Sequence, residues 1–178
     1  MRLLVLAAIL ALAGAQPAAA DVASAAPGAF VLAAEADVAA SPAEAYAALT
    51  RIGRWWNGEH SYSHDARRLS LDARAGGCFC ERWAGGSVEH GRVLMAFERE
   101  GVRKLRLEAP LGPLQEMAVN AILTYTITAH GSGAHIAMIY RVSGDSGLGL
   151  DHIAGPVDGV IMEQFHRLIR YADTGAPE

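Results

Sequence analysis

A long series of short alternating segments limits the possible folds of this chain more than any other property of its sequence. From Leu69 to Val142, apolar residues recur at every second position, and turns rich in glycine or proline separate the segments. A period of two predicts antiparallel strands that have one buried face. Glycine-rich connections such as Ala84-Gly85-Gly86-Ser87 predict tight hairpins between these strands.

The last segment has a different period. Between Ile153 and Ala172, apolar residues recur at spacings of three and four, which predicts a helix with one apolar stripe. Pro156 is expected in its first turn and Gly175 just after its end. A sheet and a helix that each have one apolar side can bury both sides when the helix lies across the concave face of a curved sheet.

Two further elements precede the alternating series. Residues 30–38 alternate as a strand does, and Ser41-Pro42-Ala43-Glu44 is typical of a capping box at a helix start. Gly53 ends this helix, and a second short turn is expected at Arg54-Trp55-Trp56. The predicted fold class is therefore α+β: a curved antiparallel sheet of about seven strands wrapped around a long C-terminal helix, with one or two short helices after the first strand.

The N-terminal residues have the pattern of a secretory signal peptide. Met1-Arg2 supplies a positive charge, residues 3–13 are uniformly apolar, and Ala18-Ala19-Ala20 is a small-residue cleavage site. The apolar run is too short to cross a bilayer and no later run is long enough, so no membrane span is expected. We therefore predict a signal peptide at 1–20, cleavage after Ala20, a periplasmic location, a flexible leader at 21–28 and one domain at 29–174.

Composition and charge argue against several classes of protein. Hydrophobic residues make up 52% of the chain, which allows a packed core and excludes wholesale disorder. The 15 Lys and Arg residues are outnumbered by 19 Asp and Glu residues, and the net charge of −4 argues against nucleic-acid binding. The sequence contains neither a Gly-x-Ser-x-Gly motif nor a phosphate-binding loop, so we assign no catalytic residue and no cofactor.

A hollow is expected between the sheet and its closing helix, and large apolar hollows are common ligand sites. The alternative is that the same side chains fill a solid core, and residue types alone leave both possibilities open. Tyrosines would add a polar tip to an apolar wall. The inward candidates are Leu105, Leu107, Leu123, Tyr125, Met138, Tyr140, Ile161 and Phe165.

The hairpin around Gly85-Gly86 supplies the polar candidates. If these two glycines form the centre of the turn, Arg82 faces Glu89 and Glu81 faces His90 on the opposite, outward side. A three-residue turn would instead place Cys80 opposite His90 and change every assignment. In the first register, an inward ion pair of Arg82 and Glu89 would orient a polar head group, and the same face adds the ligand-binding candidates Cys78, Cys80, Arg82, Glu89 and Met95.

Cys78 and Cys80 are interpreted as buried thiols. Cα atoms two residues apart on a strand are ~6.5–7 Å apart, which is the outer limit for a disulfide. Zinc binding by both cysteines and His90 is a weaker interpretation, because structural zinc usually has four ligands with wider cysteine spacing. Glu59-His60 and His64-Asp65 form another weak metal candidate and fit better as a loop at the pocket rim. We therefore predict no metal.

Several local motifs accompany this order of elements: Arg54-Trp55-Trp56, His60-Ser61-Tyr62-Ser63, Gly76-Gly77-Cys78-Phe79-Cys80-Glu81-Arg82, Glu89-His90, Gly112-Pro113-Leu114-Gln115 and Pro156-Val157-Asp158. Together they resemble a group of exported bacterial proteins within the SRPBCC superfamily of helix-grip proteins. That superfamily includes START-like, birch-pollen-allergen-like, polyketide-cyclase-like and chaperone-activator-homology domains. The resemblance implies a cavity between helix and sheet, and functions that range over lipid and hormone binding, cyclisation, hydrolysis and chaperone stimulation.

We therefore predict an exported single-domain protein that binds a hydrophobic small molecule, such as a lipid, an acyl chain or a polyketide-like compound. One alternative is a hydrolase or cyclase that acts on such a ligand in the same cavity. Another is a protein-interaction module that presents Trp55 and Trp56 to a partner, although core packing of at least one of these rings is favoured. The sequence predicts no nucleic-acid partner and leaves a protein partner open.

Overall fold

The computed structural model describes residues 21–178, so the predicted signal peptide lies outside the described residues. Three short 3-10 turns lie between the first helix and the third strand, one follows the sixth strand and one follows the eighth. The strands and helices are β1 (Asp21–Ala26), β2 (Ala29–Val38), α1 (Pro42–Thr50), β3 (Leu69–Leu71), β4 (Cys78–Trp83), β5 (Gly86–Arg99), β6 (Val102–Glu108), β7 (Asn120–His130), β8 (Gly133–Ser143) and α2 (Leu150–Thr174).

The eight described strands form one sheet in the order β1-β2-β8-β7-β6-β5-β4-β3. Each neighbouring pair is antiparallel. The sheet curves around α2, which packs against β1, β2 and α1. This arrangement confirms the predicted α+β helix-grip fold, with one strand more than expected.

The additional strand is β1, which lies in the segment predicted to be a flexible leader. Its residues are mostly alanine and serine, which lack the β-branched and aromatic side chains that mark a strand in a sequence. β1 nevertheless pairs antiparallel to β2, with Ala26 opposite Ala29. Residues 21–26 are therefore an edge strand, held by backbone hydrogen bonds that the side-chain pattern does not reveal.

The start of α1 is the capping box that the sequence predicts. The Ser41 hydroxyl accepts a hydrogen bond from the Glu44 N–H at 3.4 Å, and the Glu44 carboxylate accepts one from the Ser41 N–H at 2.9 Å. The hydrogen bonds from Ser41 hold the pKa of Glu44 below its ordinary value. Two N–H groups that a helix start leaves without partners are satisfied in this way.

We expect Ser41→Ala to lower the free energy of unfolding by about 1 kcal/mol, because the substitution removes the side-chain acceptor at the N-cap. Chemical denaturation followed by circular dichroism measures this loss. Ser87→Ala, at an exposed position of the β4–β5 hairpin, is the matched control and should change stability by less than about 0.5 kcal/mol. Equal effects of the two substitutions would show that the cap contributes nothing specific.

The long helix α2 begins six residues earlier than Pro156 suggests, at Leu150 directly after Gly149. Gly149 has a φ of 62°, a left-handed conformation that glycine adopts without a Cβ clash. Pro156 therefore lies inside the helix, where it offers no N–H to the His152 carbonyl. Neither helix in the described part of the chain has the combination of length and apolar character that crossing a membrane requires.

Candidate ligand-binding cleft

A cleft of about 680 Å³ lies between α2 and two connecting segments. Residues 153–161 of α2 form one wall, residues 111–117 after β6 form the second, and residues 56–62 together with His90 of β5 complete it. This volume lies within the range of small-molecule sites. Most lining residues are apolar or aromatic: Trp56, Tyr62, Leu111, Pro113, Leu114, Met117, Ile153, Pro156, Val157, Val160 and Ile161.

The wall at residues 111–117 is held in place by Tyr140 of β8. The buried Tyr140 hydroxyl donates a hydrogen bond to the Ala109 carbonyl at 2.7 Å and accepts one from the Leu111 N–H at 3.2 Å. Burial raises the pKa of Tyr140, so this hydroxyl stays protonated and remains a donor. The tyrosine tip that we expected to face a ligand is therefore bonded to the backbone and shapes the wall instead.

The wall at residues 56–62 is tied to α2 by polar contacts. The Asn57 backbone N–H donates to the Gln164 side-chain oxygen at 2.7 Å, and the Asn57 side-chain amide donates to the Glu163 carboxylate at 2.6 Å. His60 Nε2 lies 3.0 Å from the other Glu163 oxygen. Burial raises the pKa of Glu163, but the hydrogen bonds from Asn57 and His60 outweigh it and lower the pKa overall. The loop that the sequence predicts at the pocket rim is thus fixed against the helix.

Glu81 is a buried carboxylate that binds Tyr62, Ser63 and His90. Its side chain is fully buried, and its carboxylate accepts hydrogen bonds from the N–H groups of Tyr62 at 3.1 Å and Ser63 at 2.6 Å. His90 Nε2 lies 2.9 Å from the same carboxylate. Burial raises the pKa of Glu81, but the hydrogen bonds from Ser63, His90 and Tyr62 outweigh it and hold the pKa below its ordinary value. Glu81 is therefore ionised near neutral pH.

The ionised Glu81 defines which nitrogen of His90 is available to a ligand. A carboxylate only accepts hydrogen bonds, so the His90 Nε2 must carry the proton in the contact with Glu81. In a neutral imidazole, Nδ1 is then an acceptor, and it has no hydrogen-bond partner within residues 21–178. His90 is only 5% exposed and lines the cleft, with its ring packed 4.9 Å from that of Phe79.

The predicted register of the β4–β5 hairpin is wrong. Trp83 pairs with Gly86 and Cys80 with Glu89, so the turn is centred on Ala84-Gly85 and neither predicted turn forms; only beyond the bulge, at Phe79 opposite Gly91, does the pairing match the alternative register. His90 is an extra residue opposite the step from Phe79 to Cys80, which shifts the alternation from there on. The bulge brings Phe79 and Glu81, rather than the two cysteines, onto the face of the buried Val93.

The burial of the polar residues in this hairpin is therefore the reverse of the prediction. Arg82 and Glu89, predicted to face inward, are exposed, and Glu89 pairs with Arg92 at 2.6 Å instead. Glu81 and His90, predicted to face outward, are buried. The predicted ion pair of Arg82 with Glu89 is absent from the cleft, because Arg82 lies opposite Ser87 and outside the lining.

A second irregularity in β5 moves Met95. The pairing with β6 shifts between Val93, opposite Leu107, and Met95, opposite Arg106. Leu94 is the extra residue, so the alternation changes again and Met95 lies on the face opposite to that of Leu105. Met95 was predicted to face inward, but it is a half-buried residue on the outer face of the sheet.

Cys78 and Cys80 form a disulfide, so their interpretation as two buried thiols is wrong. Their Cα atoms are 5.4 Å apart, within the range that a disulfide spans. This separation is shorter than the ~6.5–7 Å between residues two apart on a regular strand. The sulfur atoms lie near Glu89, but bonded sulfurs are not the thiolates that a metal requires.

Of the other predicted pocket residues, only Ile161 lines the cleft. A residual void of about 10 Å³, with room for about one water molecule, is bordered by Leu105, Leu107, Leu123 and Tyr125. The centre between the sheet and α2 is therefore packed, and the open volume lies beside it. Met138, Tyr140 and Phe165 are buried in that packed centre.

Trp55 and Trp56 belong to the core as well. Trp55 is fully buried and Trp56 is 6% exposed, with ring centroids 5.7 Å apart. The favoured prediction of core packing is confirmed, and a partner surface formed by the two exposed indoles is excluded. Trp56 additionally contributes to the cleft lining.

The functional residues that the sequence patterns did not identify are Glu81, His90 and the 111–117 wall. A signal for the wall is visible in the sequence, since Gly112-Pro113 interrupts the alternation between two strands. The stripe Ile153, Val157 and Ile161 was recognised as apolar, but nothing in it separates cleft lining from core. The inward position of His90 depends on the bulge, which has no sequence marker here.

Solved structures show where this architecture recurs. Ms6760 from Mycobacterium smegmatis is 14% identical, with 89% of this chain and 94% of that chain covered and a TM-score of 0.54. The Aha1 dimer from Colwellia psychrerythraea is 14% identical, with 82% and 97% covered and a TM-score of 0.52. Ara h 8.0201 is 13% identical, with 82% and 98% covered and a TM-score of 0.51.

No family model matches the chain, and no curated protein matches it either. At these identities the structural neighbours show the fold alone. They include a Bet v 1-like protein and an Aha1, as expected of a helix-grip fold. The chain therefore has the helix-grip fold.

Proposed function

We propose that this protein binds an apolar small molecule in the cleft between α2 and the segments 56–62 and 111–117. The observation that carries the proposal is the cleft itself, with about 680 Å³ of space lined mainly by apolar side chains. Burial of about 200 Å² of apolar ligand surface would contribute about 5 kcal/mol before the cost of association. A lipid, an acyl chain or a polyketide-like compound has the apolar surface that such a lining favours.

We expect the purified protein to bind Nile red, a neutral dye whose fluorescence rises in apolar surroundings. Replacing Val157 and Val160 together by tryptophan adds two large rings to the helix wall of the cleft. This double variant should bind the dye at least about tenfold more weakly, since each tenfold step corresponds to about 1.4 kcal/mol of lost contact. Fluorescence titration of the wild type and the variant measures the change.

Val102→Trp is the matched control for this experiment. Val102 is a half-buried valine at the start of β6, outside the cleft lining, so the substitution adds the same ring at a distance from the ligand. Its dye affinity should stay within about twofold of the wild type, while circular dichroism verifies that all variants remain folded. Wild-type protein without dye binding, or equal affinities of the double variant and the wild type, would refute the proposed site.

An enzyme is the second candidate, and the arrangement of Glu81 and His90 favours it. A carboxylate that holds one imidazole nitrogen leaves the other free to act as a general base in the cleft. Incubation with a decanoate ester decides between the two functions, because only a hydrolase consumes water and releases decanoate and the alcohol. The binding function is preferred because it requires only the cleft.

We further propose that the chain is exported to the periplasm and cleaved after Ala20. The pattern of residues 1–20 and the disulfide between Cys78 and Cys80 support this location, since disulfides persist in oxidising compartments. N-terminal sequencing of protein recovered from the periplasm tests it. A first residue other than Asp21 would contradict the predicted cleavage, and full-length protein in the cytosol would contradict export.

A further inference from the structure

The charged groups that line the cleft are of one sign. Glu59 and Glu116 contribute carboxylates, and within the described residues no lysine or arginine belongs to the lining. Glu59 has only a distant, exposed partner in His64, with 3.9 Å between His64 Nδ1 and the carboxylate, and Glu116 has no ion-pair partner in residues 21–178. An anionic ligand group would therefore meet like charge here and no compensating lysine or arginine among the described lining residues.

His90 adds an independent observation inside the cleft. Its Nδ1 has no partner in the described chain and, in the neutral ring whose Nε2 donates to Glu81, presents a lone pair. The residue is 5% exposed and lines the cleft, so a ligand bound there can donate to this atom in place of solvent. A hydroxyl or an ammonium group can donate to this atom, whereas a carboxylate cannot.

Two aromatic rings of the lining favour the ammonium group over the hydroxyl. Trp56 and Tyr62 both border the cleft, and the Tyr62 ring lies 5.8 Å from the His90 ring. Faces of tryptophan and tyrosine attract cations, and the attraction grows where water is displaced. The carboxylates, the unpaired His90 nitrogen and the aromatic rings therefore select for the same ligand chemistry.

We infer that the ligand of this cleft is an apolar small molecule that carries a protonated amine. The inference rests on the binding function proposed above and narrows its ligand class. The apolar part lies against the helix wall formed by Ile153, Val157 and Val160. The ammonium group lies between His90 Nδ1 and the carboxylates of Glu59 and Glu116.

The test compares three probes of equal chain length: decylamine, decanol and decanoic acid. Near neutral pH the first is a cation, the second is neutral and the third is an anion. Displacement of bound Nile red should require a decylamine concentration at least about tenfold lower than that of decanoate, with decanol between them. The preference for decylamine should shrink as the salt concentration rises, because salt screens the rim carboxylates.

The double variant Glu59→Gln with Glu116→Gln isolates the charge effect. We expect the ratio of decanoate to decylamine affinity constants to change by at least about threefold towards decanoate. Glu98→Gln with Glu108→Gln is the control, since it removes two exposed carboxylates outside the cleft lining and causes the same change in net charge. This control variant should keep the wild-type preference.

The outcomes separate this inference from the proposed function. Nile red binding together with equal or tighter binding of decanoate overturns the amine preference and leaves the binding function standing. The amine preference is likewise overturned, and the binding function left standing, if the Glu59/Glu116 variant prefers decylamine over decanoate as strongly as the Glu98/Glu108 variant does. Wild-type protein that binds neither Nile red nor decylamine overturns both.

Discussion

Trp55→Ala is expected to lower the free energy of unfolding by about 3–5 kcal/mol, which is the usual cost of removing a large buried aromatic side chain. Trp55 is fully buried, and its indole N–H donates to the Ala48 and Leu49 carbonyls at 3.1 and 3.2 Å. Its ring connects the end of α1 to the core beneath Trp56. Guanidinium denaturation followed by circular dichroism measures the loss without relying on tryptophan fluorescence.

Trp83→Ala is the matched control for this substitution. Trp83 is only half-buried, at the end of the β4–β5 hairpin where its ring covers Gly86. The same exchange there should cost about 1 kcal/mol or less, because less apolar surface is lost. If both alanine variants lost equal stability, Trp55 would not have the central packing role that its burial indicates.

Glu81→Ala is expected to destabilise the protein by about 3–5 kcal/mol. Its carboxylate is the acceptor for the Tyr62 and Ser63 N–H groups and for His90, and its removal leaves these donors without a partner. Because Tyr62 belongs to the wall of the cleft and Ser63 follows it directly, hydrogen exchange of both N–H groups should accelerate as well. Chemical denaturation and hydrogen exchange of the variant measure the two effects.

Glu89→Ala controls for the loss of a carboxylate from the same hairpin. Glu89 is exposed and pairs with Arg92 at 2.6 Å, and exposed ion pairs of this kind contribute about 0–1 kcal/mol. A Glu81→Ala variant no less stable than Glu89→Ala would show that Glu81 is not the anchor of the loop. The comparison also distinguishes the observed register from the predicted one, in which Glu89 was the inward residue.

The contribution of Glu81 should depend on pH in a defined direction. The folded state holds its pKa below the ordinary value near 4.5, so the unfolded chain binds the proton more tightly. The stabilisation is complete above that value and is lost as the pH falls through the lower folded-state pKa. The stability difference between wild type and Glu81→Gln should therefore be constant near neutral pH and shrink in acid. A difference that grew on acidification would contradict this assignment.

The fold is shared with proteins that differ widely in sequence, so the lining of the cleft carries the functional argument. The packed centre beneath Tyr125 and Tyr140 leaves no room for a ligand there. The cleft instead uses the apolar stripe of α2 at Ile153, Val157 and Val160, and the segment that Tyr140 holds in place. Ligand preference should accordingly respond to substitutions at these positions and at the rim carboxylates.

Much of the fold follows from patterns that act over a few residues. The two-residue period, the capping box at Ser41 and Glu44, and the helical stripe of α2 each reflect a local preference of the backbone, and each is confirmed. β1 could not be predicted in this way, because its pairing with β2 uses backbone groups and its small side chains provide no pattern. The predicted start of α2 is wrong because proline is typical of a first helical turn, whereas Pro156 lies inside this helix.

The site itself could not be obtained from these patterns, for a physical reason. One extra residue at His90 and another at Leu94 change which face of β5 is buried, and such bulges depend on how neighbouring strands fit together within the sheet. In the resulting pairing Glu81 and His90 are buried, and Arg82 and Glu89 are exposed. Local periodicity therefore predicted the strands and helices. Which face of a strand its polar residues occupy was decided by the pairing with neighbouring strands, because a shift of one residue exchanges the buried and the exposed face.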